Sequence, residues 1–253
     1  MKFDDLDKKM RLFETQDDQT VAADVWMVVR LDGRGFTRLT KETLPLTIPF
    51  DERFRDAMWH TTAHLMQAGF RAIYGYVQSD EISILLHPKD HTYGRKLRKI
   101  LSVTAGEASA CFSLAMGVHA AFDSRVSQLD DAALVMDYFS WRHEDAHRNC
   151  LNAHCYWRLR SEGVAPNVAQ AQIAKLTLEQ KCDLLSERGI CFEDLPAWQK
   201  RGTGFYWQEQ VSSGVNQKTG ETVSVLRRAL VKDEALPLSE AYRDYLTKII
   251  ASI

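Results

Sequence analysis

Three carboxylates stand at two places where the chain turns. Asp32 closes the apolar run "DVWMVVRL" (24–31) and leads into the glycine-punctuated "DGRG". Asp80 and Glu81 open another apolar run within "GYVQSDEISILL", Gly75 to Leu86. Adjacent acids at the mouth of a core strand repel each other, and burying an unpaired charge is costly. Either they are solvated, as an acidic loop edge, or a cation meets them. Carboxylate and carbonyl oxygens suit a hard divalent cation such as magnesium, which keeps positions open for substrate phosphates. Two such ions shared between aspartates clamp an in-line phosphoryl displacement, one at the attacking oxygen and one at the leaving pyrophosphate. Gly33 adds a backbone oxygen and lets phosphates come close. Lys96 and Lys99, in "YGRKLRK", are expected one turn apart on a helix, as cations for triphosphate oxygens.

For the acids to meet, the strands must be arranged to bring them together. Residues 24–31 read as a buried strand, and from Phe50 to about Ala68 apolar residues recur at helical spacing before Gly69. Strands follow at about 70–77 and 82–87, split by the "QSDE" turn. "HTYGRKLRKILSVTAGEASACF" reads as a second helix, and "LAMGVHAAFDSRV" as a fourth strand with its exit. The order β-α-β-β-α-β is ferredoxin-like. In it the first and third strands are antiparallel neighbours, so Asp32 at the end of one meets Asp80 and Glu81 at the start of the other. The remainder is mostly helical: one or two helices over 130–161, shorter ones at 166–176 and 178–188, a hairpin across "NQKTGE", and a closing helix at 238–251. The fold class is therefore α+β, a polymerase-type palm over 1–129 with a helical elaboration and late hairpin over 130–253, packed as one globular unit.

"VVRLDGRGFTRL" and "GYVQSDEISILL" resemble the two signature blocks of the tRNA-His guanylyltransferase family, the 3′–5′ polymerases. "FDSRV", "YFSWRHEDAHRN", "LPAWQKRGTGFYW" and the opening "LDKKMRLFE" resemble further blocks, in order, from about residue 6 to 230. The resemblance implies a palm with two magnesium ions that adds nucleotides at the 5′ end of tRNA. It implies that Asp32, Asp80 and the Gly33 carbonyl hold the metals, with Glu81 supporting the site. Ser79 would lie against the nucleotide, with Arg34, Gly35, Phe36, Lys96, Lys99 and Arg125 as further nucleotide-binding positions. His147 and Lys181 would handle the activated 5′ end, beside Asn149. ATP or GTP would activate the end, tRNA and nucleoside triphosphates would be the partners, and the assembly would be a homotetramer. Members that add the extra guanosine to tRNA-His typically carry "HINN", whereas this chain has His147-Arg148-Asn149-Cys150. That pattern resembles the guanylyltransferase-like branch associated with template-dependent repair of 5′-truncated tRNA. A lysine expected before the family's "PxD" is replaced by Ile48.

The bulk properties fit this reading without demanding it. At 253 residues, 45% apolar and 26% charged, the chain is ordinary for a soluble globular protein. A net charge of −2 supplies no global field for nucleic acid, so an RNA partner needs local basic patches. The N-terminus has no apolar signal core, and no apolar run is long enough for a bilayer, so a cytoplasmic protein is expected. Five cysteines without CxxC spacing suggest reduced, buried thiols. Four other readings compete, one of them another palm-type nucleotidyl transferase or cyclase that shares the acids. "HEDAH" (143–147) fits the HExxH zinc-hydrolase pattern, though a solvated or phosphate-facing polar helix face accounts for it more simply. A Cys150–His154 pair has nucleophile spacing. A palm that has lost catalysis would be an RNA-binding module, against which all three acids are present.

Overall fold

The computed structural model describes residues 2–215 and 222–252. Helix α1 (Phe3–Thr15) precedes strand β1 (Trp26–Gly33). A one-turn α2 (Phe36–Arg38) and α3 (Glu52–Leu65) lead to β2 (Ala72–Gln78) and β3 (Glu81–Leu86), and α4 (Leu97–Met116) leads to β4 (Phe122–Leu129). Next come α5 (Ala132–Ser161), α6 (Pro166–Ala174), α7 (Leu178–Ser186) and α8 (Ala197–Arg201). The hairpin β5 (Thr203–Val215) and β6 (Thr222–Asp233) and helix α9 (Ser239–Ala251) complete the chain. The hairpin turn expected at "NQKTGE" (216–221) lies outside the described residues.

The sheet order is β4-β1-β3-β2-β5-β6, with every neighbouring pair antiparallel. The first four strands have the ferredoxin-like order, and the late hairpin extends the same sheet on the β2 side. Strand alternation divides the core in two. Val29, Leu31, Ile82 and Ile84 pack with Phe36, Phe112 and Phe122 in the layer of α3 and α4. Val28, Leu85, Tyr74 and Tyr76 pack with Val135 and Phe139 of α5 and Tyr242 of α9. With helices on both faces, β2 and β3 are buried along their whole length, which explains their near-continuous apolar sequence.

Several boundaries differ from the expected ones for local reasons. The stretch 92–95 is a separate 3-10 turn and not the start of α4, because Tyr93, Gly94 and Arg95 hold positive φ of 53°, 60° and 57°. Arg95 is buried there and donates to the carbonyls of Val21, Pro88, Asp90 and Val25. Residues 114–116 finish α4 rather than begin a strand, and Gly117 closes that helix at φ 65°. Residues 132–161 form a single helix of 30 residues, whose second half leaves the sheet and packs on α6 and α7 through Cys150, Leu151, Cys155, Ile173 and Leu185. All five cysteines are free thiols, but Cys191 is exposed rather than buried. Among the described residues no helix is long and apolar enough to cross a membrane.

Candidate active site

Backbone pairing brings the acids together. Asp32 lies in register with Glu81 on β3 and with Asp123 on β4. The Gly33 N–H donates to the Asp80 carbonyl at 3.0 Å. Asp80 occupies the two-residue turn between β2 and β3, next to Ser79 at φ 48°. A non-glycine residue in that region is uncommon and costs about 1–3 kcal/mol. Burial is the main cause that pushes the Asp80 carboxyl above its ordinary range, and the nearby Asp32 charge adds to it. The two carboxylates are hard oxygen donors whose charges oppose each other despite the guanidinium groups near Asp32, and a divalent cation would neutralise them. Asp32, Asp80 and the Gly33 carbonyl therefore fit a magnesium donor set chemically. Gly33 has a packing reason as well: a Cβ there would collide with the Phe36 ring.

Glu81 has different surroundings. It is buried, and Arg142 grips it with Nε at 2.7 Å and Nη2 at 3.1 Å. The Arg30 guanidinium also donates to it. Arg142 reaches on to Asp145 at 2.6 Å, and Asp145 accepts from the Asn149 amide at 3.0 Å. On the other side Arg30 lies 3.8 Å from Asp32, and Arg125 lies 3.7 Å from Asp32 and 3.1 Å from Asp123. Glu81 is thus the hub of an ion-pair chain that fixes α5 to the strand ends. Sequence reading missed Arg30, Asp123, Arg142 and Asp145. For Arg142 there was a signal: it falls in the buried stripe Val135–Phe139–Arg142–Ala146–Cys150, where a charge needs a buried partner.

Beside Asp80 and Glu81 a cavity of about 400 Å³ opens between the β2–β3 turn, the entry to α3 and the middle of α5. Such a volume suits a small-molecule ligand. Phe36, Phe50, Phe54 and Met58 supply an apolar wall, with Asp51, Ser79 and Asn149 as polar points. At its rim Arg55 stacks on Trp59 at 4.4 Å and Trp198 at 4.9 Å, and Lys41 faces Trp157 at 5.6 Å. Ile48 lines the cavity where a lysine was expected, and Lys41 is the lysine in its lining.

Asp32, Gly33, Ser79, Asp80, Glu81, Arg125 and Asn149 gather at this edge. Arg34 and Gly35 form the exposed turn beyond it, and Phe36 is a core residue first, 2% exposed. His147 sits on the flank of α5 with its ring 5.2 Å from Phe192. Lys181 is on α7, where its carbonyl accepts from the Cys155 thiol. Lys96 and Lys99, expected to meet triphosphate oxygens, are not brought to the acids within one chain. Thr20 bridges Lys96 and Val21 bonds Arg95 just before β1, so α4 starts at the opposite end of the sheet from Asp32. Six residue steps along β1 are about 20 Å. Lys96 is held there by Asp18 at 2.8 Å.

The HExxH pattern does not assemble a zinc site. His143 stacks on Tyr242 at 4.3 Å, Glu144 is exposed, and among the described residues no three His, Cys, Asp or Glu are gathered to hold a metal. Nor is Cys150 a primed nucleophile, since burial pushes its thiol up to about 12. His143 is 3% exposed, and its pKa is lowered to about 4, first by burial and then by Arg201 and His147. The unfolded chain takes up a proton near the ordinary value of about 6.5 that the fold refuses. Stability from this group is therefore present above about 6.5 and lost as the pH falls towards 4, by about 3 kcal/mol at most. Urea unfolding at pH 7 and 4.5 should show that loss, and His143→Phe should flatten it.

An antiparallel palm sheet with two aspartates at adjoining strand ends, opening on a ligand-sized cavity, defines a palm-type nucleotidyltransferase. The family model described as tRNAHis guanylyltransferase matches residues 7–132, and the one described as Thg1 C terminal domain matches 133–240. The chain belongs to the tRNAHis guanylyltransferase family and is a nucleotidyltransferase. It is similar to the probable tRNA(His) guanylyltransferase of Homo sapiens, 30% identical over 79% of this chain and 70% of that one. The probable enzyme of Dictyostelium discoideum is 28% identical over 90% of this chain and 91% of the relative. Among solved structures, a bacterial tRNA(HIS) guanylyltransferase (Thg1)-like protein in complex with ATP superposes with a TM-score of 0.75. It is 28% identical, covering 96% of this chain and 97% of that one. The Saccharomyces cerevisiae tRNA(His) guanylyltransferase superposes with a TM-score of 0.71 over 86% and 94% of the chains. At 23% identity it supports the fold alone.

Proposed function

We propose that this enzyme adds nucleotides to the 5′ end of tRNA in the 3′–5′ direction, directed by the opposing base, and so repairs 5′-truncated tRNA. The observation that carries this is the Asp32–Asp80 pair at adjoining strand ends, opening on the cavity. In the first step a 5′-phosphate oxygen of the tRNA attacks the α-phosphorus of ATP or GTP, and pyrophosphate leaves. In the second, the 3′-hydroxyl of an incoming nucleoside triphosphate attacks the activated 5′ phosphorus, and the nucleoside monophosphate leaves. Two magnesium ions held by Asp32, Asp80 and the Gly33 carbonyl would supply Lewis-acid charge to both steps. Phe36, Phe50 and Phe54 exclude water from the cavity wall, while Ser79 and Asn149 offer hydrogen bonds to the nucleotide. Glu81 acts through Arg142 and Arg30, keeping guanidinium charge beside Asp32. His147 and Lys181 handle the activated 5′ end.

The reading takes 1–129 as the palm and 130–253 as its elaboration, working as a cytoplasmic homotetramer. In such an assembly Lys96 and Lys99, remote from their own chain's acids, meet phosphates at a neighbouring copy's site. A second reading, addition of the extra guanosine to tRNA-His, is favoured by the names of the relatives. The test is 5′ extension of labelled tRNA with magnesium and each nucleotide singly. One transcript lacks its first nucleotide and the other is intact tRNA-His. Addition that follows the opposing base on the truncated transcript is expected. Guanosine added only to intact tRNA-His would establish the second reading, and no addition to either would overturn both.

A further inference from the structure

Helix α1 has no place in the packing just described: none of its residues is buried. A lone helix of 13 residues is marginal in water, so this one needs a partner. Its apolar residues are Phe3, Leu6, Met10 and Phe13, 79%, 41%, 52% and 61% exposed. They follow at steps of three, four and three, the a and d positions of two heptads. Leu12 lies off the stripe. The residues flanking the seam are equally ordered. Lys9 falls at a g position and Asp7 and Glu14 at e positions, while Lys2, the extended N-cap residue, stands where a preceding g position would begin.

That arrangement selects an occupant. We propose that α1 pairs in parallel with α1 of a second copy of this chain. In a parallel pair each g position faces the e position five residues on in the other helix. Lys9 then meets the partner's Glu14, twice by symmetry, and the N-cap Lys2 lies at the end of the helix that carries the partner's Asp7. In an antiparallel pair e faces e and g faces g, which sets acids on acids and lysines on lysines. A phosphate backbone would be repelled by the acids, and Asp4, Asp5 and Asp7 differ from the basic flank of a membrane-surface helix. Asp7 already pairs with Arg11 at 2.7 Å, an exposed contact that does not occupy the seam. The pairing is one specific contact within the homotetramer proposed above and rests on that reading only in requiring that copies associate.

The test is site-directed cross-linking of the full chain, read with light scattering. In a Cys191→Ser parent, Met10→Cys places a thiol opposite its own symmetry mate, and a short bismaleimide should join the two copies. Adding Lys9→Glu should lower the yield about tenfold, through two reversed charge pairs, and adding Glu14→Lys to that should restore it. A Met10→Cys chain that associates yet cross-links no better than the parent would overturn the pairing while leaving the tetramer standing. A wild-type chain that stays monomeric at every concentration would overturn both. Cross-linking that is indifferent to Lys9→Glu would overturn the parallel register.

Discussion

Asp80→Asn is expected to reduce nucleotide addition by about a thousandfold or more while leaving the fold as stable as before, or more stable. The activity loss follows from the donor set. An amide keeps the shape of the side chain but removes the charge that would hold a cation beside Asp32 in the mechanism proposed above, and transition-state charge stabilisation of this kind is worth several kcal/mol. Each 1.36 kcal/mol is tenfold in rate. The stability outcome has the opposite sign because the native Asp80 carboxyl is strained electrostatically: burial, then Asp32, hold it above its ordinary range. Removing that charge relieves the repulsion without creating a cavity. Parallel measurement of single-turnover extension, tRNA binding by filter retention, and thermal unfolding separates the effects. Lost extension with retained binding and an undiminished melting temperature is the expected pattern. Full activity in the variant would overturn the proposed role of Asp80.

The largest effect on stability is expected at Arg142. Its side chain is 4% exposed and forms a fork on Glu81, itself 8% exposed. Arg142→Met leaves Glu81 buried with Arg30 alone and leaves Asp145 without its guanidinium. Removing one partner of a buried pair typically costs about 3–5 kcal/mol. Because Arg30 remains, the lower end applies. For a chain of this size about 3 kcal/mol corresponds to a fall of roughly 6–12 °C in melting temperature. Arg142→Lys keeps the charge without the planar fork and should recover only part of the loss. Glu81→Gln combined with Arg142→Met should be less damaging than Arg142→Met alone, since the stranded charge is gone. If the single variant melted with the wild type, the ion-pair chain would be ornamental.

These two residues also mark what the sequence disclosed and what it did not. The Asp32–Asp80 meeting was readable because it needs only strand order and direction, and both follow from alternating apolar runs and turn residues. The partners of Glu81 were not readable. They come from β1, 51 residues away, and from α5, 61 residues away, and no local spacing records which side chain crosses to which. The distance of Lys96 and Lys99 from their own chain's acids has a reason that topology contains. The helix after β3 must start where β3 ends, at Leu86, and Glu81 is at the other end of that strand. The positive-φ run at Tyr93–Arg95 was unreadable, because only one of the three residues is glycine. The hidden role of α1 has yet another cause. Its pattern was complete in the sequence, but a seam without a partner in its own chain becomes conspicuous only once the core is shown to exclude it.

The order β4-β1-β3-β2-β5-β6 puts the two acid-bearing strand ends in the interior of a six-stranded sheet. Neither β1 nor β3 has an open edge, so neither can fray without breaking ladders on both sides. Opening there approaches opening of the whole domain, and backbone amides near Asp32 and Glu81 belong to the slowest class of hydrogen exchange. The carboxylates proposed to hold the metals thus sit in the least-breathing part of the molecule. Whatever must move to admit a tRNA end and release pyrophosphate is left to the elements around the sheet.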